Sequence, residues 1–245
     1  MTKLFISDLH LDASRPAATN AFVNFLQGSA RKATDLYILG DLFETWIGDD
    51  DPNPHYAEVA TAIRSLSDSG VRCFYMAGNR DFVIGEKFLQ RCGMTRLYDP
   101  ALISVGNQSV LVSHGDIYCT DDLGYQRYRR VVYNPIMRGI YDALPFSARS
   151  WVVSRIRSSS QNKMDFTPPE IMDVNQDAIE SALKEHAVST ILHGHTHRPA
   201  IHDFKLNGKP ARRIVLGDWY TQGSVLRWDD KDKNGPALEK LAYSD

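Results

Sequence analysis

The chain has 245 residues, 43% apolar and 24% charged, with a formal net charge of −2 and a pI near 6.4. That balance suits one α/β domain carrying a sizeable insertion and excludes a broadly basic nucleic-acid-binding surface. Cys73, Cys92 and Cys119 are an odd number without CxxC spacing, which excludes a disulfide frame and a thiolate zinc site and points to reduced, cytosolic thiols. No signal-peptide core and no run of about 18 apolar residues is found, so the expectation is a chain without leader or membrane span.

Leu4-Phe5-Ile6 reads as a strand buried on both faces. It runs into Asp8 and His10, which share a face in extended backbone. Residues 18–30 form an amphipathic helix pattern with Phe22, Phe25 and Leu26 inward. Leu36 to Leu39 is a second strand, ending in Gly40-Asp41. The acid-rich loop that follows, with Glu44, Asp49, Asp50 and Asp51, reads as solvated and helix-capping rather than cation-binding. A helix covers Tyr56 to Ser67 and stops at Ser69-Gly70. A third strand, Val71 to Met76, ends in Ala77-Gly78-Asn79-Arg80-Asp81, and a helix lies near Gly85 to Cys92. Val110 to Ser113 ends in His114-Gly115, Val188 to Leu192 in His193-Gly194-His195-Thr196-His197, and Ile214 to Leu216 in Gly217-Asp218-Trp219. Alternation would place His193, His195 and His197 on one face of a continuing strand, whereas Gly194 signals a turn.

Asp8, His10, Asp41, Asn79, His114, His195 and His197 all follow buried strands. Singly, each has a plain alternative: a helix cap for the aspartates, a left-handed turn for Asn79, a core histidine for His114. Jointly they make a metal centre beyond the carboxyl ends of the strands of an α/β sheet. Two carboxylates, one amide oxygen and four imidazoles suit Mn²⁺, Fe²⁺ or Zn²⁺. Seven donors exceed one tetrahedral ion and fit two ions about 3.5–4 Å apart that share a carboxylate, an arrangement suited to displacement at phosphorus.

The blocks Asp8-Leu-His10, Gly40-Asp41, Gly78-Asn79-Arg80-Asp81, His114-Gly115 and Gly194-His195-Thr196-His197 resemble those of the calcineurin-like metallophosphoesterase superfamily. The resemblance implies an α/β fold with a two-sheet β-sandwich core flanked by helices, in place of the single sheet that periodicity alone indicates. It implies one domain, 1–245, with a helical cap inserted at about 122–168. Closer blocks, Tyr37 to Asp41, Trp46 to Asp50, Gly78 to Phe82, Ile171 to Asn175, His193 to Pro199 and Val215 to Trp219, resemble the UDP-2,3-diacylglucosamine pyrophosphohydrolase family of lipid A biosynthesis. Arg80 stands where most of the superfamily has histidine, as in that family, and a guanidinium there suits bidentate phosphate binding better than an ion pair with the adjacent Asp81. Ala77 stands where the family usually has histidine.

By this resemblance Asp8, His10, Asp41 and His197 hold one Mn²⁺, and Asp41, Asn79, His114 and His195 the other. His193 matches no ligand and reads as a partner behind them. Arg80, Asn79 and His195 carry catalysis, and substrate contacts fall to Asn79, Arg80, Asp122, Tyr125, Ser160, Lys163, Met164 and His195. The implied reaction is Mn-dependent hydrolysis of UDP-2,3-diacylglucosamine to UMP and 2,3-diacylglucosamine 1-phosphate. The implied setting is a monomer, peripheral on the cytoplasmic face of the bacterial inner membrane, with a lipid-linked UDP-sugar and an anionic membrane surface as partners and no nucleic acid. The alternative is another dinuclear-metal phosphodiesterase acting on nucleotides.

Tyr125 to Arg157 holds seven arginines (127, 129, 130, 138, 149, 155, 157) against one acid, Asp142, interleaved with apolar residues, and Pro135 and Pro145 divide it into short helices. It reads either as a cap packed on itself with a solvated basic face, or as an apolar, basic lid that accepts acyl chains at an anionic membrane. Together with the resemblance, the lid is the reading carried forward.

Overall fold

The computed structural model describes residues 1–164, 173–230 and 235–243, with side chains described as far as residue 158 in the first span. The first half runs β1 (Thr2–Ile6), α1 (Pro16–Gln27), β2 (Asp35–Leu39), α2 (Pro54–Asp68), β3 (Arg72–Met76), α3 (Glu86–Cys92) and β4 (Met94–Leu97). The hairpin β5 (Ala101–Val105) and β6 (Gln108–Ser113) follows, then α4 (Leu123–Val132), α5 (Pro135–Asp142) and α6 (Phe146–Met164). The chain closes with α7 (Gln176–Glu185), β7 (Thr190–His193), β8 (Ala200–Leu206), β9 (Lys209–Val215), β10 (Gly223–Asp229) and β11 (Ala237–Leu241).

Two sheets result, ordered β11-β10-β1-β2-β3-β4 and β5-β6-β7-β9-β8. The apolar runs explain why they stack. On β1, Leu4 and Ile6 join the core under the helices α1, α2 and α3, while Phe5 joins a second core shared with the other sheet. On β2, Leu36 and Ile38 go one way, Tyr37 and Leu39 the other. Across the gap, Val110 and Val112 of β6 and Leu192 of β7 meet them, and Leu111 and Ile191 turn outward to a third core against α7. Continuous apolar runs are what a strand buried on both faces requires. The layers are helix, sheet, sheet, helix, which is the two-sheet sandwich rather than a single sheet.

β1, β2 and β3 are parallel neighbours, as are β6, β7 and β9. Their following loops are knitted by backbone bonds: Asp8 N to Gly40 O at 3.1 Å, His10 N to Asp41 O at 2.9 Å, Gly194 N to His114 O at 2.8 Å and Trp219 N to Asp8 O at 3.0 Å. Six strands thereby deliver their carboxyl ends to one place. The strands β4, β5, β8, β10 and β11 and the helix α7 are not evident in the sequence pattern. β8 is mostly exposed and β11 only partly covered, so neither carries the apolar run that marks a buried strand.

The arginine-rich segment is helical as expected, with Pro135 at the start of α5, and neither α4 nor α5 contains a fully buried residue. Its basic face is not simply solvated. Arg138 donates to the carbonyls of Phe82 and Val83 at 2.9 and 2.8 Å. Arg149 pairs with Asp50, Arg157 with Glu44, and Arg129 with Asp116 at 2.8 Å. Four of the seven arginines therefore fasten the segment to the core. Among the described residues, no helix is long and apolar enough to cross a membrane.

Candidate metal centre

Five of the proposed ligands sit in left-handed backbone: Asp8 (φ 54°), His10 (49°), Asp41 (53°), His195 (69°) and His197 (55°). Among the described residues only Ala187 and Asn207 are other non-glycine cases. Each such residue costs on the order of 1–2 kcal/mol and persists only where its surroundings enforce it. The knitted loops do so, and the strain is concentrated where the donors converge. Glycine permits the closeness: a Cβ on Gly78 would lie 2.2 Å from Oδ1 of Asp41, and one on Gly40 would lie 2.4 Å from Nδ1 of His114.

The side chains form two groups. In the first, Nε2 of His197 lies 3.3 Å from Oδ1 of Asp8, and Nε2 of His10 lies 3.3 Å from Nε2 of His197. In the second, Oδ1 of Asn79 lies 3.0 Å from both Nε2 of His114 and Nδ1 of His195. Oδ2 of Asp41 stands between them, 3.8 Å from Nε2 of His10 and 3.8 Å from Nε2 of His114. The structure thus brings together all seven residues. Asp8, His10, Asp41 and His114 are buried. Imidazole nitrogens facing one another around a buried carboxylate oxygen are a donor set that fits divalent cations.

The electrostatics agree. Burial alone would raise the Asp8 carboxyl, but its hydrogen bond to His197 and the charges of His197, His114 and His10 hold it well below the usual carboxylate range. Burial, reinforced by the charge of His114, pushes His195 down to about 4, so it is neutral near pH 7 and has a lone pair to offer.

His193 behaves differently from its neighbours. β7 ends on it, and the chain turns after it at Gly194 as that glycine signalled, so the three histidines do not share one strand face. Its Nδ1–H donates to the Gly194 carbonyl at 2.9 Å and its buried Nε2 has no hydrogen bond among the described residues. It makes no hydrogen bond to a ligand candidate.

Arg80 and Asp81 diverge. The buried Asp81 carboxylate accepts backbone N–H groups from Leu42 at 2.7 Å, Gly78 at 2.9 Å and Asp41 at 3.3 Å, clamping the loops after β2 and β3 together. Arg80 donates its backbone N–H to Oδ1 of Asp41 at 2.8 Å. Its guanidinium has no hydrogen bond or ion pair among the described residues and remains available to an anion beside the cluster.

Asp122 caps α4, accepting from the Tyr125 N–H at 2.8 Å. The Tyr125 ring stacks on His195 with centroids 6.0 Å apart, and its hydroxyl donates to Asp116 at 2.5 Å. The side chains of Ser160, Asn162, Lys163 and Met164, and the neighbouring positions Thr167, Ile171 and Met172, lie outside the described residues. In the acid-rich loop, Asp49 caps α3, accepting from Gly85 N at 2.8 Å and Phe88 N at 3.0 Å, as expected. Glu44 is not a solvated acid: its Oε2 lies 2.9 Å from Nδ1 of His10. Asp116, Asp218 and Tyr220 also border the cluster unforeseen, with Tyr220 stacked on His10 at 5.1 Å and Asp218 3.8 Å from Nδ1 of His197. Only the Gly217-Asp218-Trp219 strand end hinted at the last pair.

A profile of the family described as calcineurin-like phosphoesterase matches residues 1–199. The UDP-2,3-diacylglucosamine hydrolase of Escherichia coli O17:K52:H18 (strain UMN026 / ExPEC) is 49% identical over 227 residues, spanning 93% of this chain and 95% of the relative. Its namesake in Escherichia fergusonii is 48% identical over the same shares. The chain belongs to the calcineurin-like phosphoesterase family and, within it, to the same family as these UDP-2,3-diacylglucosamine hydrolases.

Proposed function

We propose that the protein hydrolyses the diphosphate of UDP-2,3-diacylglucosamine at the α-phosphorus, giving UMP and 2,3-diacylglucosamine 1-phosphate in lipid A biosynthesis. The observation that carries this is the convergence of seven donors around Asp41 beside the uncommitted Arg80 guanidinium, in a chain nearly half identical to enzymes named for that substrate.

Asp8, His10, Asp41 and His197 would hold one divalent ion and Asp41, Asn79, His114 and His195 a second, with Mn²⁺ the ion we favour for this oxygen- and nitrogen-rich set. Such ions, when bound, acidify water and neutralise charge at a phosphoryl group. Arg80 then clamps the diphosphate with paired N–H donors and stabilises charge that grows during displacement. Asn79 and His195 orient the attacked phosphoryl group, with Tyr125 stacked behind His195 to hold its ring.

In this reading the single domain 1–245 carries a helical cap at about 122–168, of which the structure describes residues 122–164. Ile136, Trp151 and Leu123 there are 72%, 62% and 65% exposed. Apolar side chains displayed on a basic helical segment suit acyl chains and an anionic leaflet, which supports peripheral work at a membrane surface; the setting proposed with it is a monomer on the cytoplasmic face of the inner membrane.

The test is hydrolysis by the purified chain of UDP-2,3-diacylglucosamine in mixed micelles, with Mn²⁺, in ¹⁸O-labelled water. The expected products are UMP carrying the label and unlabelled 2,3-diacylglucosamine 1-phosphate. Label in the sugar phosphate would overturn attack at the α-phosphorus. Turnover of nucleotide phosphodiesters with indifference to acyl chains would replace this reading with a nucleotide phosphodiesterase.

A further inference from the structure

Glu44 touches two distant parts of the molecule with one carboxylate. Its Oε2 lies 2.9 Å from Nδ1 of His10. Its Oε1 pairs with Arg157 of α6, and its own backbone carbonyl accepts from the same guanidinium at 2.8 Å. The side chain starts from a fixed point, because the Glu44 N–H donates to the carbonyl of Leu11 at 3.1 Å. The other ring nitrogen of His10, Nε2, is the one that faces Asp41 at 3.8 Å and His197 at 3.3 Å.

An imidazole that presents a lone pair at Nε2 must carry its proton at Nδ1. A carboxylate beside Nδ1 selects that tautomer and sets the ring's rotation. The approach is oblique to the ring rather than in line, so where the carboxylate points matters, and Arg157 decides where it points. A partly exposed glutamate–arginine pair by itself contributes little to stability. Sharing its carboxylate with His10 gives this pair a second consequence.

We infer that Glu44 is a positioning residue that couples the seat of α6 to the half of the cluster formed by Asp8, His10 and His197. With Arg157 docked, the carboxylate is aimed at His10. With α6 displaced, the carboxylate is free to leave the ring. Coupling is reciprocal: an ion held at that half tightens α6 by the same factor by which a seated α6 tightens the ion. The cap is then a reporter of metal loading as well as a cover for the site. The inference rests on the two-ion reading above.

The test uses the metal-stripped full chain, titrated with Mn²⁺ by calorimetry, with hydrogen exchange over residues 146–158 followed in parallel. The wild type is expected to take up two ions and to show slower exchange in α6 when loaded. Glu44→Ala is expected to weaken one site by roughly 10–100-fold, leave the other intact and abolish the Mn²⁺-dependent protection of α6. Arg157→Met, which leaves Glu44 and His10 in place, is expected to weaken the same site by about fivefold or more and to remove the protection too. Glu44→Gln keeps an acceptor for the Nδ1 proton but no charge for Arg157, so it is expected to behave like Arg157→Met, with site affinity between that of Glu44→Ala and the wild type and no Mn²⁺-dependent protection. Unchanged affinity and protection in Arg157→Met overturns the coupling, and that variant decides the matter alone if Glu44→Ala does not fold. A wild type that binds fewer than two ions overturns the two-ion reading itself, which is a separate result.

Discussion

Nε2 of His10 lies 3.3 Å from Nε2 of His197, although 187 residues separate them. Two imidazole nitrogens that face each other beside a buried aspartate gain little as a hydrogen-bonded pair. They make sense as donors aimed at a common cation, and Asp41 links that point to the matching one beside His114.

Asp41→Ala removes the one donor common to both groups. Turnover is expected to fall by more than the roughly 100-fold that marks loss of an outer-shell partner, with metal content reduced at both positions. Steady-state kinetics together with elemental analysis of the purified variant check this. A variant retaining two ions and near-normal kcat would show that Asp41 does not bridge.

Arg80→Lys keeps the charge and loses the planar fork. By comparison with the loss of a charge-stabilising donor elsewhere, kcat is expected to drop about 10²–10³-fold, with metal content unchanged because the guanidinium makes no hydrogen bond or ion pair with a ligand candidate among the described residues. An equal fall in bound metal would assign Arg80 a structural role instead.

Asp99, which is not itself a ligand candidate, supplies a pH dependence of stability. Its carboxyl, 8% exposed and 3.9 Å from Arg129, is pushed up to about 6 from 3.8, chiefly by burial and then by the charge of Asp116. A carboxyl raised in the folded state binds its proton more tightly folded than unfolded. Stability therefore falls as pH rises from about 4 to 6, and the loss is complete above that window. Asp99→Asn is expected to match the wild type at pH 4 and to exceed it by about 1–3 kcal/mol at pH 8. Chemical denaturation at the two pH values measures the difference, and a variant less stable at pH 8 would refute it.

The exposed apolar residues of the cap give a membrane prediction. Replacing both Ile136 and Trp151 with serine is expected to weaken sedimentation with anionic phospholipid vesicles by about tenfold or more, since each removes apolar area from the interface. Binding by the wild type should fall in high salt. Equal vesicle binding by wild type and variant would place the contact elsewhere.

Leu4-Phe5-Ile6, Leu36 to Leu39 and Val188 to Leu192 were legible as strands because both their faces are buried, as the two-sided cores show. The seven donors were legible because parallel strands hand their ends to one edge. That the acid-rich loop would supply a helix cap was legible from its residue types, but not that Asp49 would cap α3, whose start at Gly85 lies 36 residues further along the chain. What the sequence could not convey is which long-range partner each charge meets. Glu44 and Asp50 look alike in the acid-rich loop, yet one reaches His10 and Arg157 and the other only Arg149. The arginine-rich run looks uniformly basic, yet Arg129, Arg138, Arg149 and Arg157 are spent on carbonyls and carboxylates of the core. His193, His195 and His197 are evenly spaced, yet positive φ at the last two sends them to the cluster while His193 stays in the strand. Local pattern determined the strands and the donor types, because burial and hydrogen bonding impose short periods on a sequence. Tertiary structure alone decided the pairings, because a side chain's charge partner depends on loops that meet only after the two sheets have packed.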